Sequence, residues 1–200
     1  SENEDKKKEI QAYFPEWKSL SPKDKAISFN PIEDGNSFLE NALIKAKLLW
    51  NLVQKPIIAD DSGICLSALD NRPGIHSARY RGKTQAEKNK NLIDELNALA
   101  KTKTNPVDRH CFYVCSLVYY YGENRYFSVQ ETLEGELIRD ISEQRGCGGF
   151  GYDPIVYLPQ LNKMVAELSS EEKNAISHRG KALSALKVFL SIYLFFLLKF

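Results

Sequence analysis

Ser37 with Glu40, Thr84 with Glu87, and Ser169 with Glu172 each set a Ser or Thr three residues ahead of a Glu at the head of a helix-like run. Each pair reads as a capping box, whose hydroxyl and carboxylate satisfy amide groups that the first turn of a helix leaves unpaired. Behind the first box, Phe38, Ala42, Ala46, Leu49 and Val53 recur at helical spacing. Helices are therefore predicted over 37–53, from Thr84 to about Ala100, and from Ser169 toward His178, where Gly180 breaks the run. A last helix is expected over 181–198. Strand-like runs lie between them. Ile57-Ile58-Ala59 is short, follows Pro56 and is expected to end in Asp60-Asp61-Ser62-Gly63. Arg109 to Tyr121 is β-branched and aromatic, and Arg125 to Glu131 returns after a Gly122-Glu123-Asn124 turn. Residues 72–82 and 145–154 read as loops. Helices alternating with strands, interrupted by one hairpin, predict an α/β fold with a mixed sheet.

Charge excludes some functions. Lys+Arg 27 against Asp+Glu 26 leaves a net charge of +1. A protein that grips polymeric nucleic acid needs a basic excess to pair with phosphates. No nucleic-acid polymer is therefore expected as partner, and any polyanion site must be local. At 200 residues and 43% hydrophobic, the chain can bury a core without a disulfide or zinc staple. Cys65, Cys111, Cys115 and Cys147 lack zinc-finger spacing. Cys111 and Cys115 on one strand would stand about 13 Å apart, too far to bridge. Reduced thiols and a polar start, Ser1 to Glu9, predict a cytoplasmic protein without a signal peptide. The apolar run from Val188 to Leu198 has 11 residues, short of the ~20 that span a bilayer. It predicts a buried terminal helix or a partner surface, with a membrane-surface anchor as the alternative, and no membrane span.

Four places can carry chemistry. Adjacent strand residues face opposite ways, so Asp60 and Asp61 reach one site only if the strand ends there, which Gly63 permits. Paired carboxylates suit Mg²⁺, and a plain polar turn is the alternative. Glu40 can cap its helix or turn its carboxylate to a metal. Arg145 to Pro154 holds four glycines in the six residues 146–151, with Phe150 and Tyr152 among them. Such a loop can admit a ligand close to its backbone, with an aromatic stacked on a base, or it can anchor its aromatics in the core. Lys173, His178 and Arg179 are cationic, but five helical residues turn through about 500°, so Lys173 and His178 diverge unless the chain breaks between them. With a break, His178 and Arg179 stand at the amino end of the last helix, which favours anions. Without one they are scattered surface charge.

Taken in order, SFLENA (37–42), ADDSG (59–63), PGIHSARY (73–80), GGFGYDP (148–154) and EEKNAISHRGKAL (171–183) resemble the inosine triphosphate pyrophosphatase family, the dITP/XTP pyrophosphatases. The likeness covers Ser37 to Leu183. It implies a long mixed β-sheet flanked by helices, with 1–200 forming a single two-lobed domain and a substrate cleft between the lobes. It implies a Mg²⁺-dependent homodimer that hydrolyses ITP, dITP and XTP to monophosphate and pyrophosphate, cleansing the nucleotide pool. Carried over, Asp61 resembles the proton acceptor that activates water and a Mg²⁺ ligand, Glu40 a second ligand, and Asp60 a supporting one. Ser62 resembles a substrate contact. Phe150, Gly151, Tyr152 and Asp153 match the base-binding loop, Phe150 as stacker. Lys173 matches a substrate-binding lysine, and His178 and Arg179 match the pair that reads the purine.

Ser1, Asn3 and Lys6 resemble the family's S/T-x-N-x-x-K phosphate loop, although by themselves they read as a frayed polar end. The family places an apolar strand directly ahead of that loop, whereas Ser1 opens this sequence. An unpaired sheet edge and weaker triphosphate binding are expected, and a nucleotide-binding protein with impaired turnover is the alternative function. A further alternative is an interaction protein that works through its apolar tail.

Overall fold

The computed structural model of the chain describes residues 3–197, with side chains described to residue 193. The phosphate-loop role expected of Ser1, and the tip of the apolar run at 194–198, fall outside the described residues or side chains. Among the described residues five α-helices form: α1 (Glu4–Tyr13), α2 (Phe38–Val53), α3 (Gln85–Thr102), α4 (Ser170–Ile176) and α5 (His178–Leu197). The three predicted capping residues open α2, α3 and α4, although at Ser37 only the hydroxyl half of the box forms. Ser37 and Ser169 accept from the amides of Glu40 and Glu172, and Thr84 and Glu87 close a reciprocal pair. The helix break falls at Ser177 rather than Gly180, because the Ser177 hydroxyl accepts from the Gly180 amide and caps α5. The polar start is helical rather than frayed: the Asn3 side chain caps α1 by accepting from the amides of Asp5 and Lys6.

Among the described residues six strands pair in the order β2-β1-β3-β4-β5-β6: β1 (Ile57–Leu66), β2 (Arg72–Pro73), β3 (His110–Gly122), β4 (Arg125–Leu137), β5 (Val156–Leu158) and β6 (Lys163–Met164). The β1–β2, β4–β5 and β5–β6 ladders are antiparallel. β1 does not stop at its carboxylates but runs 10 residues, through Asp60-Asp61-Ser62-Gly63 to Leu66. Gly63 serves close packing instead of a strand end: a Cβ there would lie 2.3 Å from the Gly74 carbonyl oxygen. β4 likewise outruns its expected end at Glu131. On the side of β1 away from β3, β2 pairs only with Cys65 and Leu66. Among the described residues no strand borders 57–64 there, as an unpaired edge requires.

The chain divides into two compact units. The first comprises Ser1–Asp61, Cys115–Glu131 and Ser177–Phe200; the second comprises Ser62–Val114 and Thr132–Ile176. In the first, α1 and α5 meet β3 through Phe14, Leu117, Leu183 and Leu186, while Ala42 and Ala46 of α2 pack on Ile57, Ala59 and Val118. In the second, Leu92 and Leu96 of α3 pack on Ile64, Leu66, Tyr113 and Ile155. Burial of this apolar surface is what holds each unit together. All four cysteines are free thiols. Among the described residues no helix is long and apolar enough to cross a membrane.

Candidate active site

Because β1 stays regular through both carboxylates, Asp60 and Asp61 point to opposite sides of it. Asp61 turns to α2. Its Oδ1 accepts from Lys45 Nζ at 2.9 Å and its Oδ2 from Asn41 Nδ2 at 3.3 Å. Lys45 also donates to Glu33 Oε2 at 3.1 Å. Asn41 and Lys45 are four residues apart on α2 and so share a face. Burial pushes the Asp61 carboxyl above its ordinary value, and the charge and hydrogen bond of Lys45 only partly oppose this. Burial works against the charge of Lys45 too, but Asp61 outweighs it and raises the ammonium's pKa. The result is a carboxylate more basic than one in water, beside a cation that stays charged.

Asp60 turns the other way. Its Oδ2 accepts from Lys6 Nζ at 2.8 Å and from Arg179 Nη2 at 2.9 Å, and Arg179 Nη1 donates to Glu9 Oε2 at 2.7 Å. Burial alone would raise the Asp60 carboxyl, but Lys6 and Arg179 outweigh it and hold it well below the usual carboxylate range. The expected convergence of Asp60 and Asp61 on one site required the strand to end. It continues, and Asp60 instead ties α1 and α5 to β1. Lys6 and Arg179 thus take part in an ion-pair network, with the Arg179 side chain only 2% exposed. His178 is buried in the first turn of α5. Glu40 takes the capping alternative in part: its Oε2 accepts from the Asn36 amide at 2.7 Å.

In the second unit the Gly-rich loop is organised by Asp153, which is 3% exposed. Its Oδ2 accepts from the Phe150 amide at 2.7 Å and from Lys173 Nζ at 2.8 Å, and its Oδ1 from the Tyr113 hydroxyl at 3.1 Å. Lys173 Nζ lies 4.4 Å from the centroid of the Phe150 ring, a cation–π contact. Gly149 has φ of +70°, and a Cβ there would meet Asp153 Oδ2 at 2.2 Å, so only glycine closes this loop. The Gly151 carbonyl accepts from Asn89 Nδ2 at 3.2 Å. Tyr152 takes the anchoring alternative: its ring is buried and its hydroxyl donates to the Ser77 carbonyl at 2.9 Å. Ser62 follows Asp61 on β1 and is half-buried.

Asn41, Lys45, Glu33, Glu9 and Tyr113 escaped the reading of motifs. For two of them a signal existed. Asn41 and Lys45 fall on the apolar stripe of α2 beside Ala42 and Ala46, and a polar residue on such a stripe asks for a buried partner.

A divalent cation is compatible with the donors present. Among the described residues no three His, Cys, Asp or Glu side chains form a ready cluster. Mg²⁺ needs only one or two protein carboxylates, completing its shell with water and substrate phosphate. Asp61 and Glu40 offer hard oxygen donors of that kind. Asp60 already carries two cations on Oδ2.

The model of the Ham1 family matches residues 1–189. The dITP/XTP pyrophosphatase of Treponema denticola is 44% identical over 190 residues, covering 95% of this chain and 95% of that protein. The dITP/XTP pyrophosphatase of Leptospira interrogans is 43% identical over 190 residues, covering 94% and 93%. A solved HAM1 protein from Coxiella burnetii superimposes with a TM-score of 0.83 at 35% identity, covering 96% of this chain and 95% of that one.

Proposed function

The chain belongs to the Ham1 family, and from that premise we propose that it hydrolyses deaminated purine nucleoside triphosphates, ITP, dITP and XTP, to the monophosphate and pyrophosphate. The observation that carries this reading is Asp61, a carboxylate raised by burial and gripped on both oxygens by Lys45 and Asn41. Asp61 orients a water and takes its proton as the water oxygen attacks phosphorus. The α–β phosphoanhydride bond breaks, pyrophosphate leaves, and the proton returns to solvent. When bound, Mg²⁺ on Glu40 and Asp61 would neutralise charge on the phosphates.

The other residues follow in role. Lys6, Asn3 and Ser1 attend the phosphates, Asp60 supports Asp61 along the strand, and Ser62 contacts substrate. Phe150 stacks on the base, with Gly151, Tyr152, Asp153 and Lys173 shaping that loop. His178 presents a donor to the 6-oxo group from the first turn of α5, which Arg179 steadies through Glu9 and Asp60. An adenine amino group there would face that donor and leave it unpaired, which is costly in a buried site. One enzyme domain over the whole chain, a cytoplasmic setting and a homodimer belong to the same reading. The dimer is supported by Val188 and Ile192, exposed by 59% and 54% on α5.

The test is a panel of ITP, dITP, XTP, ATP and GTP with Mg²⁺, read as pyrophosphate release. Release from the three deaminated nucleotides, well above that from ATP and GTP, is expected. Nucleotide binding without pyrophosphate release overturns the assignment.

A further inference from the structure

Asp61 sits in a closed ring of contacts. Its Oδ1 meets Lys45 Nζ at 2.9 Å, and Lys45 meets Glu33 Oε2 at 3.1 Å. From Glu33 the backbone passes through Asp34 to Gly35, whose amide donates to Asn41 Oδ1 at 2.9 Å. Asn41 Nδ2 then donates to Asp61 Oδ2 at 3.3 Å and closes the ring. Asn41 is fully buried, with 0% exposure. Both ends of its amide are used, one on the 33–36 loop and one on the carboxylate. The loop lies so close that a Cβ on Gly35 would stand 2.8 Å from Asn41 Oδ1.

We propose that Asn41 is a positioning residue for the hydrolytic step, fixing the plane of the Asp61 carboxylate and coupling it to the 33–36 loop. A carboxylate has about four acceptor directions over its two oxygens. Lys45 takes one on Oδ1 and Asn41 one on Oδ2, which stops the group rotating about its Cβ–Cγ bond. One direction per oxygen is left for water and a cation. Lys45 alone would hold one oxygen and leave the plane free to swing. Reacting groups held loosely lose most of the advantage of proximity, and a shift of about 1 Å can cost ~10²-fold.

The inference rests on Asp61 being the carboxylate that activates water, and the experiment separates the two claims. Asn41→Ser removes both arms of the amide. Asn41→Asp keeps the size of the side chain and the acceptor for Gly35, but puts an oxygen where Asp61 needs a donor. ITP hydrolysis and equilibrium ITP binding are measured for both, with Asp61→Asn alongside. In each Asn41 variant kcat is expected to fall about 10- to 100-fold, with KM and the ITP dissociation constant within about threefold of wild type. Asn41→Asp decides the matter if Asn41→Ser fails to fold. A kcat for Asn41→Asp within twofold of wild type overturns the proposal, as does a loss of kcat matched by an equal loss of ITP affinity. An active Asp61→Asn enzyme would instead overturn the reading of Asp61. An inactive one beside a fully active Asn41→Asp would sink only the role of Asn41.

Discussion

Asp60 and Asp61 are neighbours on β1 and turn to opposite sides, Asp60 onto Lys6 and Arg179 at 2.8 and 2.9 Å, Asp61 onto Lys45 at 2.9 Å. Their acidities part accordingly. Burial acts on both, but two close cations overwhelm it at Asp60, whereas at Asp61 burial prevails over Lys45. One residue becomes a fixed anion that binds helices to the sheet. Its neighbour holds a proton more readily than a carboxylate in water.

Replacing Asp61 with Asn should abolish turnover while nucleotide binding largely survives. Losing a general base typically costs about 10²–10⁴ in rate, and more where a metal ligand is disturbed as well. Pyrophosphate release and equilibrium ITP binding check this together. Turnover near the wild-type rate would remove Asp61 from the mechanism.

Arg179→Ala should destabilise the fold by about 3–5 kcal/mol, because it strands buried carboxylates without their counter-charge. Arg179 serves Glu9 with Nη1 and Asp60 with Nη2, so Arg179→Lys, a point charge without the fork, should lose less than Ala but more than nothing. Urea denaturation measures both. A loss within about 0.5 kcal/mol for Arg179→Ala, typical of a surface change, would contradict the network's structural role.

Alkaline stability should depend on Tyr80. Burial, with its hydrogen bond to Glu95, pushes the phenol up to about 12 from an ordinary 10.0. A group whose folded pKa lies above its unfolded value lends stability in full below the unfolded value and loses it as pH climbs to the folded one. The window is therefore pH 10 to 12. Tyr80→Phe should show a shallower fall of melting temperature across that range, the other buried tyrosines being left in place. An unchanged slope would mean that Tyr80 ionises as readily folded as unfolded.

A chain carrying about six apolar residues ahead of Ser1 should bind triphosphate more tightly and melt higher. In the first unit a groove of ≈ 770 Å³ is lined by Ile10, Trp17, Ile27, Ile57 and Tyr119 among others. Unpaired backbone along a strand edge favours an added strand. KM should fall, with a smaller change in kcat, because the added strand gives Asn3 and Lys6 a rigid base. Equal KM and equal melting temperature in the two forms would show the strand to be dispensable.

What the sequence determined by itself is local. Ser37, Thr84 and Ser169 mark their helices because each hydroxyl closes on an amide three residues ahead, whatever surrounds it. The Gly-rich loop and the order of the motifs were legible for the same reason, and they were enough to point to the family. Tertiary structure alone decided that β1 runs on through Asp60 and Asp61, since Gly63 looks the same whether it ends a strand or admits the Gly74 carbonyl. It alone decided that Asp60 pairs with Arg179, 119 residues away, and that Asn41 and Lys45 meet Asp61. Whether a carboxylate becomes an anchor or a base depends on which cations the packed helices bring to it and how far water is excluded. Those distances arise only when the chain has folded.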